Sequence, residues 1–166
     1  MLASLSLRQT LGIVSLLAFV AFLFALFSQH VLGMAPCAWC ILQRLIVLAI
    51  AIIAGLGWWL HGRRPAVAAW AAALSGLLAI GGALAAWYQH TVAANAFSCD
   101  LSFADAVVTT SRLDLVLPQV FGIYATCADS ATNLLGVRYE IWTLILFVVL
   151  AALAILALAP RGRREA

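Results

Sequence analysis

Residues 37–60 read CAWCILQRLIVLAIAIIAGLGWWL. Past the second cysteine, the stretch from Ile41 to Leu60 carries one cation, Arg44, in an otherwise almost wholly apolar run. A helix needs about 20 such residues to cross the roughly 30 Å of hydrocarbon in a bilayer, so this stretch predicts a membrane span over 41–60. Three further runs of similar length predict spans over about 11–29, 66–89 and 141–159, with Pro160 closing the last. In lipid each backbone polar group must be satisfied within its own segment, and runs of this length do that only as helices. The fold class expected is therefore all-α, a transmembrane four-helix bundle forming one domain over 1–166. Composition agrees: 66% of the chain is hydrophobic and 9% charged, against about 45–50% and about 25% in soluble domains. A net charge of +3 without a single lysine is too small for a nucleic-acid footprint.

Orientation follows from the arginines. Arg8 precedes the first run, Arg63 and Arg64 separate the second from the third, and Arg161, Arg163 and Arg164 follow the fourth. Short cytoplasmic segments collect arginine, so both termini are expected in the cytoplasm. Loops of about 30–40 and 90–140 then face outward, into the periplasm. The uncleaved reading of the first run is preferred to a signal sequence, because its apolar stretch is long and no Ala-x-Ala site follows. The second outer loop is too long for a simple turn and is expected to be functional or disordered. Within it, Leu113 to Phe121 is apolar enough either to rest on the bilayer surface or to fold back on the loop itself.

That topology puts all four cysteines on the outer face, where disulfides form. Cys37 and Cys40 open the second span, and Cys99 and Cys127 lie in the long loop. They either staple the loops or exchange. A Cys-x-x-Cys ring is too small to gain much loop entropy, and such pairs are commonly reactive, which favours exchange. Arg44 falls one turn beyond Cys40 on the same helical face. It either snorkels to the interface or holds the Cys40 sulfur as thiolate, aided by the positive end of the helix. The spacing of one close pair and two distant single cysteines lacks the pattern of common zinc sites, so no metal is expected.

His30 and His90 stand at the outer ends of the first and third spans. They read as interfacial residues, as axial ligands of a haem within the bundle, or, for His90, as a hydrogen-bond donor near Cys40. Ala51 with Gly55 and Gly81 with Ala85 are four apart and read as packing seams. Trp39, Trp58, Trp59, Trp87, Tyr88 and Trp142 read as an aromatic belt.

Taken together, Cys37-Ala38-Trp39-Cys40-Ile41-Leu42-Gln43-Arg44, Tyr88-Gln89-His90-Thr91, Cys99-Asp100, Leu117-Pro118-Gln119-Val120-Phe121, Cys127-Ala128 and Leu135-Gly136 resemble the disulfide bond formation protein B (DsbB) family over essentially the whole chain. The resemblance implies a protein of the bacterial inner membrane. It implies catalytic roles for Cys37, Cys40, Cys99 and Cys127 in a relay from a periplasmic thioredoxin-fold partner, DsbA, to the membrane quinone pool, ubiquinone or menaquinone. Cys99 would form the mixed disulfide with the partner, and electrons would pass through a transient Cys37–Cys127 bridge that frees Cys40. Cys40 would meet the quinone ring, with Arg44 stabilising charge and His90 hydrogen-bonding the ring; Arg138 and Tyr139 would border the headgroup. Gln43 stands where some members of the family have Glu, and is given only a positioning role. The alternatives are a vitamin K epoxide reductase-like oxidoreductase, a haem-binding electron carrier and a scaffold with inert disulfides.

Overall fold

The computed structural model describes residues 6–95, 102–130 and 132–159. Four helices are long and apolar enough to cross a membrane: α1 (Leu7–His30), α2 (Ala38–Leu60) and α3 (Pro65–Thr91), with α7 (Tyr139–Leu158) closing the set after three short loop helices. Each runs one to four residues beyond the apolar stretch on at least one side. Ser6 and Gln9 form a capping box at the start of α1, satisfying donors that the first turn leaves open. Pro65 opens α3 at a position where its missing N–H costs nothing.

The helices form a closed ring in which α1 packs on α2, α2 on α3, α3 on α7, and α7 back on α1. The core between them holds Leu11, Val14, Ile50, Phe147 and Leu150, with alanines filling most of the remaining contacts. Outside, Leu16, Leu77, Leu84, Val148 and Ile155 are exposed, as a lipid-facing surface requires. Ser15 Oγ donates to Ala51 O at 2.8 Å, and a Cβ at Gly55 would sit 3.0 Å from Ser15 Oγ, so the Ala51–Gly55 seam faces α1. The third-helix seam is shifted by one residue from the sequence reading. Gly81 faces open space, whereas a Cβ on Gly82 would collide with the Phe147 ring.

The long loop between α3 and α7 is structured where it is described. A 3-10 turn, Ala93–Asn95, follows α3, and α4 (Phe103–Ser111) starts at a Ser102–Asp105 capping box and packs on α2. Two single-turn helices follow, α5 (Leu113–Val116) and α6 (Pro118–Phe121), separated at Leu117 because Pro118 cannot continue a helix. The Leu113–Phe121 segment is buried only in part. Leu115 and Val116 are exposed while Phe121 is buried in a cluster with Ile41 and Val108. A hairpin, β1 (Asn133–Leu134) and β2 (Val137–Arg138), then leads directly into α7.

Candidate functional site

Cys37 is the N-cap of α2, in extended backbone and without a side-chain cap. Its carbonyl accepts from Ile41 N at 3.0 Å, so Cys40 sits within the first helical turn. The two sulfurs lie 3.2 Å apart as a thiol pair. Cys37 is 1% exposed. Trp39, next to it, is buried and packs its ring on Tyr88 at 4.9 Å, so it belongs to the cysteine cluster and not to the outer aromatic belt.

The loop cysteine is brought in by backbone. Tyr124 N and Ala125 N both donate to Pro36 O, at 3.0 and 3.3 Å, stitching the chain just before Cys127 to the residue just before Cys37. Cys127 consequently packs into the same cluster as Cys37 and Cys40. The Cys37 thiol is pushed up to about 11, first of all by its pairing with the Cys127 sulfur and then by burial; that same pairing holds Cys127 below the ordinary thiol value. Of the two, Cys127 therefore loses its proton first. Cys99, the fourth predicted cysteine, lies outside the described residues.

Beside Cys40 a cavity of about 470 Å³ opens between α1, α2, α7 and the hairpin. Leu17, Val20, Phe24, Val47 and Leu146 make most of it apolar, and its polar lining includes Cys40, Gln43, Arg44 and Tyr139. Arg44 is 6% exposed, so it does not snorkel into water. Its Nη1 donates to Gln29 Oε1 at 2.7 Å and to Val120 O at 2.5 Å, and its Nη2 donates to Ala25 O at 3.1 Å. These bonds tie α1, α2 and α6 together at one guanidinium. Among the described residues Arg44 Nε is buried without an acceptor, a donor left over beside an apolar cavity.

The sulfurs receive their side-chain donor from elsewhere. Gln89 Nε2 lies 3.3 Å from Cys40 Sγ and 3.6 Å from Cys37 Sγ, and Gln89 Oε1 accepts from Gln43 Nε2 at 2.8 Å. Both amides are 4% exposed. Sequence reasoning singled out the neighbour, His90, instead. Consecutive helical residues point about 100° apart, and His90 faces α7, with Nδ1 3.4 Å from Glu140 Oε1, which Arg138 Nη2 also contacts at 2.7 Å. His90 does not line the cavity. His30 Nε2 sits 2.9 Å from Gln119 O on α6, so the two histidines are engaged on separate seams. The available signal for Gln89 was its place inside a membrane run, where a polar side chain is costly and usually functional.

Comparison with known proteins gives a consistent assignment. A family model described as disulfide bond formation protein DsbB matches residues 7–157. Disulfide bond formation protein B 1 of Pseudomonas putida is 36% identical over 143 residues, 86% of this chain and 83% of that protein. Disulfide bond formation protein B of Verminephrobacter eiseniae is 31% identical over 96% of this chain and 89% of that protein. The protein of the same name from Paracidovorax citrulli is 30% identical, covering 95% and 91% respectively.

Proposed function

The chain belongs to the DsbB family of disulfide bond formation proteins, and from that membership we propose that it is a quinone-dependent thiol-disulfide oxidoreductase of the bacterial inner membrane. Its electron donor is a periplasmic thioredoxin-fold protein of the DsbA type. Its acceptor is membrane quinone, ubiquinone or menaquinone.

The observation that carries this reading is the position of Cys40 and Cys127 on either side of Cys37: one sulfur touches the outer loop and the other borders an apolar cavity. In the proposed relay, the partner's thiolate attacks Cys99 in a Cys99–Cys127 disulfide, and the electron pair leaves on Cys127. The Cys127 thiolate attacks Cys37 Sγ; the Cys37–Cys40 bond breaks and its electron pair leaves on Cys40. The partner's second thiol then releases its own disulfide from Cys99, and Cys99 displaces Cys37 from Cys127. The net change is one partner dithiol oxidised and the Cys37–Cys40 pair reduced. Thiolates attack, and the packing of Cys127 into the same cluster as Cys37 and Cys40 puts the attacking sulfur beside its target.

The cavity fits a quinone by its chemistry: an apolar body, a sulfur, and an unpaired guanidinium donor at the polar part. A quinone bound there supplies a two-electron, two-proton acceptor. Leu17, Phe24 and Leu146 would hold its apolar portion, and Arg44 would donate to a ring oxygen. Tyr139 borders the same polar part, as the resemblance implied. His90, facing Glu140, is given no part in this contact.

Titration of fully reduced protein with a short-chain benzoquinone tests the reading. Two thiols should disappear per quinol formed, Cys40→Ser should form none, and Arg44→Ala should slow the reaction about tenfold or more, the value of a charged hydrogen bond. Survival of every thiol in excess quinone overturns it.

A further inference from the structure

We propose that Gln89 is the hydrogen-bond donor that holds negative charge on Cys40, and that Gln43 is the positioning residue that fixes which end of the Gln89 amide faces the sulfur. The inference rests on the proposed redox activity of the Cys37–Cys40 pair and deepens it.

An amide side chain has one accepting and one donating end of nearly equal size. Turned one way it donates to a sulfur; turned the other it presents an oxygen that repels a thiolate. Gln43 decides between them. Its Nε2 donates to Gln89 Oε1 at 2.8 Å, which uses the accepting end and leaves Gln89 Nε2 3.3 Å from Cys40 Sγ. Gln43 stands three residues after Cys40, on the same side of α2, while Gln89 reaches across from α3. Two amides buried in a membrane bundle are costly unless they are hydrogen-bonded, and here they bond each other while Gln89 also bonds the Cys40 sulfur.

Arg44 makes no bond to the sulfur, its unpaired Nε included. The arginine one turn away gives its Nη groups to Gln29, Ala25 and Val120. Among the described residues the side chains bonded to Cys40 Sγ are Cys37 and Gln89. When Cys37 becomes bonded to Cys127 it has no proton to give, and Gln89 alone remains. At that point the electron pair from the broken Cys37–Cys40 bond has just arrived on Cys40.

The test needs no quinone. The native chain in detergent is equilibrated with reduced and oxidised glutathione: the Cys37–Cys40 disulfide and two glutathione thiols exchange for the dithiol and glutathione disulfide. Trapped thiols are then counted by mass spectrometry. A donor to the reduced sulfur favours the dithiol, so Gln89→Met, close in shape but without a donor, should shift the equilibrium about tenfold toward the disulfide, about 30 mV for a two-electron couple. Gln43→Met should shift it about threefold, and should add nothing in the Gln89→Met background, since it acts only through Gln89. A shift under twofold in Gln89→Met, or an equal Gln43→Met effect in both backgrounds, overturns the proposal. Should Gln89→Met fail to fold, Gln43→Met alone decides: threefold supports the proposal, and no shift overturns it. A native pair that does not equilibrate with glutathione at all sinks the redox reading itself, a result distinct from an unshifted variant.

Discussion

Cys37 and Cys127 lose their protons in a set order, and pH reads that order directly. With Cys37 raised to about 11 and Cys127 lowered by the hydrogen bond it accepts, the Cys127 thiolate persists to lower pH than an ordinary thiol's, while that of Cys37 forms only in strong alkali. Alkylation of reduced protein, followed residue by residue by mass spectrometry, should therefore show Cys127 reacting below the pH at which a free cysteine does and Cys37 reacting only near 11. Cys37→Ala removes the donor, and the Cys127 profile should move up toward the ordinary value. An unchanged profile would mean that the pair does not share its proton. Arg44 illustrates a different residue-scale point. Its bonds to Gln29, Ala25 and Val120 require the planar fork of a guanidinium, so lysine does not replace it.

Among the elements, α3 and α7 meet through small residues. A Cβ at Gly76 would sit 3.1 Å from Ala154 Cβ, and one at Gly82 would enter the Phe147 ring, which is fully buried. Without water to squeeze out, helices in lipid gain by close approach, and glycine permits it. Gly82→Val is expected to cost about 1–3 kcal/mol, the usual range for overpacking, while Gly81→Ala, one residue away and facing open space, should leave stability unchanged or slightly raised. Reversible unfolding in mixed micelles compares the two; equal losses would show that α3 is rotated from the orientation described. The hairpin before α7 is held similarly, with Trp142 Nε1 donating to Leu134 O at 3.2 Å. Its turn uses positive φ at Leu135 and Gly136, an arrangement of the kind that two-residue hairpins need.

At the scale of the molecule, Arg8, Arg63 and Arg64 lie at the end of the bundle away from the thiols. The Arg8 guanidinium lies over the Trp58 ring at 5.5 Å, placing the start of α1 beside the end of α2, close to Arg63 and Arg64. Cys37, Cys40 and Cys127 gather at the other end. The arginine bias predicts that the Arg8 end faces the cytoplasm. After mild reduction of intact spheroplasts, a membrane-impermeant maleimide should label Cys127, and should label Gly62→Cys, at the open turn between α2 and α3, only after lysis. The reverse pattern would invert the topology and remove the periplasmic partner with it.

The four spans, the short turn between α2 and α3, the end of the bundle at which Cys37 and Cys40 sit, and the family were all legible in the sequence. Each of these depends on sums taken along one segment: apolar length against bilayer thickness, backbone groups satisfied within their own helix, and the spacing of residues in a motif. It took the packing of the whole chain to set Gln89 against the sulfurs and His90 against Glu140, to make Gly82 and not Gly81 the seam, to bury Trp39, and to send the Arg44 Nη groups to oxygen acceptors. Those outcomes turn on the rotation of each helix about its own axis. Hydropathy barely constrains that rotation in a helix apolar on nearly every side, so it is set by the fit of side chains between neighbouring helices, which no single segment contains.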